Sequence, residues 1–158
     1  MESPSEQAKF VAGQAYERLM KTFAAVPDDK LTWSPAPTSK SALQIAAHCG
    51  FSNQFLAGVI QGETSHIPGS MKEMEEGIKQ KLATITSRAK ALDLLSDSIA
   101  KVNAALDNVT TEALQTQVTL PFGQMPMAFL IFAPGTHMQT HAAQIDYIQT
   151  IWGDTAMH

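Results

Sequence analysis

Only one of the 158 residues is a cysteine, Cys49, which excludes an internal disulfide framework and any cysteine-rich zinc module. Charge is scarce as well: Asp, Glu, Lys and Arg make up 16% of the chain, against about 25% in ordinary soluble domains. There is no cationic excess, since 11 basic residues face 15 acidic ones, and phosphate neutralisation needs one, so nucleic-acid binding is not expected. Long apolar runs are missing too. The longest, Met125–Ala133, contains Pro126 and is too short to span a bilayer. The opening MESPSEQAKF has neither a basic nor an apolar leader segment, so a cytoplasmic protein with no membrane partner is the expectation. A surface so poor in charge leaves room for burial against a partner, which is compatible with a homo-oligomer.

What the chain does have is 44% apolar residues, enough to bury a core, in a length that suits one domain over residues 1–158. The apolar residues fall at helical spacing, and β-type alternation is almost absent. Ala12, Tyr16, Leu19, Met20 and Phe23 form one stripe, predicting a helix over 5–25 that stops at Val26-Pro27. Two prolines keep the stretch Lys30–Pro37 out of helix and leave Trp33 as a plug against the bundle. Ser41 and Gln44 form a capping-box pattern for a helix over 41–61. A short charged helix over 71–82 precedes a longer one over 87–108, the break falling at Thr84–Ser87, where poor helix formers cluster. Residues 112–124 can hold a short strand with a turn at Phe122-Gly123, and the last helix is predicted over 127–152, closed by Gly153. Four long helices predict an all-α four-helix bundle, with a short β segment before the last of them.

Five histidines are present. His137 and His141 are four apart, which puts them on one face of a helix, one turn apart, where two imidazoles can bind one metal ion. His48 shares a stripe with Ile45, Ser52, Phe55 and Val59, and so points at the core. Three imidazoles aimed into an apolar interior need partners, because an unpaired buried polar group costs about 1–3 kcal/mol. A divalent cation on three neutral nitrogens, with a fourth position left for water, meets that need and has the donor set of a catalytic site. The alternative is that His48 bonds a backbone carbonyl while the other two face a dimer interface. Gln144 either steadies a metal ligand from behind or pairs helices as a structural amide. His66 and His158 read as solvated bystanders, and Cys49 as an inert buried thiol. Met138 stands where a zinc protease of the HExxH type carries its glutamate, so that chemistry is excluded. Pro134 leaves two readings open: it kinks the last helix ahead of His137, or it begins that helix.

The order of these features resembles the DinB-like (YfiT-like) superfamily of four-helix-bundle proteins over essentially the whole chain. The resemblance is carried by Leu31-Thr32-Trp33-Ser34-Pro35, by Ile45-Ala46-Ala47-His48 running on to Asn53, by Pro121-Phe122-Gly123, and by His137-x-x-x-His141-x-x-Gln144. It implies that His48, His137 and His141 are the three ligands of one nickel or zinc ion per chain, and that the protein forms a homodimer. Two departures stand out. Ala142-Ala143-Gln144 replaces the usual His-x-Gly-Gln continuation, and Pro134 intrudes where the last helix is usually regular. The expected activity is metal-dependent hydrolysis of a small substrate through activated water. The alternatives are S-transfer or isomerisation with a low-molecular-weight thiol at the same metal, and a non-catalytic dimeric stress-response module.

Overall fold

A computed structural model describes residues 3–156 and 158. Helix α1 (Pro4–Ala24) begins at a capping box in which Ser3 and Glu6 satisfy each other's backbone N–H, and α2 (Ala42–Ile60) begins at the same device built from Ser41 and Gln44. Serine hydroxyls also cap α3 (Met71–Ala83) through Ser70 and α4 (Arg88–Asp107) through Ser87. Such a cap is worth about 1 kcal/mol. One turn of helix follows, α5 (Thr111–Leu114), and then a hairpin of β1 (Gln117–Leu120) and β2 (Gly123–Pro126). Its register pairs Gln117 with Pro126 and Leu120 with Gly123, so the turn consists of Pro121 and Phe122. Gly123 follows at a φ of +126°, a backbone conformation that side chains disfavour. A turn of helix α6 (Met127–Leu130) and the long α7 (Ala133–Ile151) complete the chain.

The four long helices form a ring in which α1 packs on α7, α7 on α2, α2 on α4 and α4 on α1. Cross-contacts fix their directions. Gly135 meets Val11 and Ala12, Arg18 pairs with Asp146, and Gln149 bonds the Thr22 carbonyl, so α1 and α7 are parallel. Lys9 pairs with Asp107 while Arg88 reaches the Phe23 carbonyl, so α1 and α4 are antiparallel. Gly50 lies against Leu94 and Asn53 bonds Ser98, so α2 and α4 are parallel. It follows that α2 and α7 run in opposite directions. The parallel pair α2 and α4 obliges the chain to return along the bundle between them, and α3, about 20 Å long, spans most of that return. None of its side chains is fully buried.

α2 carries no Asp, Glu, Lys or Arg and is buried on most of its circumference, as expected of a helix with apolar residues all round. α1 joins the core through Ala8, Ala12, Ala15, Leu19 and Phe23. Arg88, at the start of α4, donates 2.7 Å to the Phe23 carbonyl and also to the Val26 carbonyl, satisfying acceptors that the end of α1 leaves open. Trp33 packs edge-on against Trp152, with ring centroids 5.2 Å apart, as the plug expected of it.

The expectation of four long helices and a β segment holds, but the last helix is not continuous over 127–152. α6 ends at Leu130, and α7 begins at Ala133 with Pro134 in its first turn. A proline inside a helix would leave the Leu130 carbonyl without its donor and press its ring on that turn, whereas in a first turn the missing N–H is not needed. Among the described residues no helix is long and apolar enough to cross a membrane.

Gly135 marks the closest approach of α1 and α7. A Cβ there would lie 2.8 Å from Val11 Cγ1 and 3.0 Å from the Ala12 backbone nitrogen. Gly135→Ala is therefore expected to lower stability by about 1–3 kcal/mol in urea and thermal denaturation. Gly77→Ala, with nothing within 4 Å of the new Cβ and a helical backbone, should instead raise it by about 0.5–1 kcal/mol.

Candidate metal centre

The antiparallel contact of α2 and α7 brings His48 opposite His137 and His141. The Nε2 atom of His137 lies 3.2 Å from Nε2 of His48 and 3.1 Å from Nε2 of His141. Ring centroids are 4.4–4.9 Å apart and the planes meet at 57–88°. The rings therefore do not stack; their edges converge on one point. The outer nitrogen of His141, Nδ1, lies 2.6 Å from Oε1 of Gln144. An amide oxygen only accepts, so Nδ1 carries the proton and Nε2 of His141 presents a lone pair.

Direct hydrogen bonds cannot satisfy this cluster. His137 Nε2 faces two nitrogens, and a neutral imidazole nitrogen is either a donor or an acceptor. If it donates to His141 it has no lone pair for His48. The Nδ1 atoms of His48 and His137 are buried without a hydrogen-bond partner among the described residues. A cation about 2.0–2.1 Å from each nitrogen would place neighbouring nitrogens roughly 3.3 Å apart in tetrahedral geometry, close to the separations present. The three residues are thus a group able to hold a metal ion, and an all-imidazole donor set suits zinc, nickel or copper.

Electrostatics keep the rings neutral. Burial, reinforced by the charge His141 and Lys40 would present, pushes the His48 pKa down to about 4. Burial and the two neighbouring imidazoles push that of His137 to about 3. His141 is lowered by burial as well, against an opposing pull from its bond to Gln144. Neutral imidazole is the form that ligates.

The other sequence candidates lie apart from the cluster. His66 is exposed in the segment between α2 and α3. His158 is no solvated bystander: its Nε2 lies 2.9 Å from Asp154, and its backbone oxygen accepts from Thr22. Cys49 is buried and its thiol is pushed up to about 12 by desolvation, so it stays protonated. Asp146 pairs with Arg18. Met138 turns into the core, where its sulfur lies 3.2 Å from the Asn53 amide nitrogen.

Two hollows flank the histidines. On the His141 side is a cleft of about 570 Å³ reaching Ser39, Lys40, Gln144 and Tyr147. On the side of His48 and His137 is a chamber of about 400 Å³ bounded by α2, α3 and the hairpin. Sequence reasoning missed both sets of walls. The available signals were Phe122, an aromatic in a turn with nothing local to pack on, and the Met74/Ile78 spacing in the short charged helix.

The depressed pKa values have a signed consequence. Above about pH 6.5 the histidines are neutral in both the folded and the unfolded chain. Below it the unfolded chain takes up protons that the folded one refuses, so stability falls as pH drops from about 6.5 towards about 3. With chelator present, the urea midpoint is expected to be lower at pH 5 than at pH 7.5. His137→Asn should shrink that difference.

No curated protein matches the chain; the likenesses are to solved structures. The mycothiol-dependent maleylpyruvate isomerase aligns with a TM-score of 0.73 at 16% identity, over 90% of this chain and 61% of the isomerase. This chain therefore spans less than two thirds of that protein. A conserved protein from Enterococcus faecalis aligns with a TM-score of 0.74 at 14% identity, over 96% of this chain and 98% of that one. The sibling lethal factor precursor DfsB gives 0.73 at 18% identity, with 97% and 99% covered. At such identities the likeness is one of fold. The sequence itself matches the family model of the DinB superfamily over residues 13–145, a stretch that takes in all three clustered histidines and Gln144. On that match the chain belongs to the DinB superfamily.

Proposed function

We propose that this protein is a metal-dependent enzyme that holds one divalent ion, nickel or zinc, on His48, His137 and His141, and acts on a small molecule with the help of a low-molecular-weight thiol. The observation that carries the reading is the convergence of three Nε2 atoms that cannot satisfy one another by hydrogen bonding. A cation held by three protein nitrogens keeps a position for an outside ligand, lowers the pKa of a thiol or water placed there, and polarises a carbonyl.

The chain's own residues support this in distinct ways. Burial keeps the imidazoles neutral and ready to ligate. Gln144 fixes the tautomer of His141 and turns its Nε2 towards the other two. Lys40, on the wall of the open cleft, supplies positive charge beside the approach to His141.

Thiol chemistry ranks above hydrolysis because no carboxylate belongs to the cluster among the described residues. A hydrolase of this kind wants a general base to relay the water's proton, whereas a thiol loses its proton on coordination. The likeness to an isomerase that depends on mycothiol points the same way. Hydrolysis through activated water is the second reading, favoured by the cleft that gives water access to His141. A cytoplasmic setting, where small thiols stay reduced, and a second copy of the chain as partner complete the proposal.

The purified protein is expected to carry about one nickel or zinc per chain by elemental analysis. His48→Ala, His137→Ala and His141→Ala should each remove most of it, and Gln144→Ala should weaken affinity about 10–100-fold. His66→Ala and His158→Ala should leave it unchanged. Metal content insensitive to the first three substitutions would sink the assignment. Turnover in a substrate panel that appears only when thiol is added separates the two chemistries.

A further inference from the structure

The chamber on the α3 side of the histidines has no role in holding a metal. It measures about 400 Å³, within the range of small-molecule sites. Phe55, Met74, Ile78, Phe122, Met125 and Leu130 wall it, and the rings of His48 and His137 form one end. Among the described residues no Asp, Glu, Lys or Arg lines it, and the other polar side chains there are the hydroxyls of Ser52, Thr136 and Thr140. A charged group seated against these walls would meet no opposite charge beyond the histidines' own site.

Folding leaves the apolar surface of this chamber incompletely covered. α3 buries no residue fully, and Met74 and Ile78 on its inner stripe remain half-buried. Phe122 sits at the hairpin tip with 53% of its surface open, although it belongs to the chamber's wall. A helix about 10 Å across cannot enter a space of this size, so the occupant is a small molecule. The other cleft, whose largely apolar wall also carries Ser39, Lys40 and Gln144, reaches the cluster at His141 instead, so a charged amine stands beside one hollow and none beside the chamber.

We infer that the chamber seats the uncharged apolar body, aryl or branched aliphatic, of the molecule on which the site acts. This rests on the metal-site reading for its catalytic meaning but not for binding.

The test uses two fluorescent dyes that differ by one sulfonate, neutral N-phenyl-1-naphthylamine and anionic 8-anilinonaphthalene-1-sulfonate, titrated into the protein as purified. The neutral dye is expected to bind once per chain and at least about tenfold more tightly than the anionic one. Met74→Asp should weaken it by a similar factor with metal content unchanged. If Met74→Asp does not fold, Phe122→Ser at the exposed hairpin tip carries the same expectation. Protein stripped of metal with a chelator, its chamber walls unaltered, should still bind the neutral dye. Protein that holds no metal as purified but binds the neutral dye counts against the metal site alone. Equal affinity for the two dyes, no binding of the neutral one, or binding indifferent to Met74→Asp and Phe122→Ser would overturn the chamber's assignment.

Discussion

Three imidazoles packed edge to edge, with no carboxylate among them, set the terms for the rest of this molecule. Their inner nitrogens stand 3.1–3.2 Å apart along the two contacts made by His137, closer than lone pairs tolerate without something between them. Burial removes protonation as an escape at neutral pH, since the charged form is the one that desolvation penalises. The arrangement persists because the helices bearing it are held elsewhere: α2 by its charge-free surface, and α7 by the close seam it makes with α1 at Gly135.

Helix direction does the positioning. His48 can face both His137 and His141 because α2 and α7 run oppositely and touch along their lengths. That orientation follows from a bundle in which α1 parallels α7, α2 parallels α4, and α1 runs against α4. Pro134 contributes by starting α7 one turn before His137, so that a regular helix carries both histidines at their i, i+4 spacing. The departure from a regular last helix thus lies upstream of the ligands and leaves their spacing undisturbed.

Much of this was legible in the sequence, and the rest was hidden for identifiable reasons. Serine caps and apolar stripes mark helix starts and faces locally, so Ser41 with Gln44, and the run from Ala12 to Phe23, could be read without coordinates. The inward aim of His48 followed from its neighbours on the same stripe. The behaviour of Pro134 could not be decided, because a kink and a helix start have the same local signature and only the packing of Leu130 and Ile131 in the core separates them. Helix directions and the two hollows escaped altogether. They depend on which elements meet, and residues as distant as Phe55, Ile78 and Met125 share a wall only after the chain has returned along α3. His158 was misjudged because a terminal residue looks free until its contacts with Asp154 and Thr22 are seen.

α3 touches chiefly α2 and commits none of its side chains to the core. Mutations that reshape its inner stripe consequently act on a part of the molecule whose tolerance is set by solvent and not by close packing.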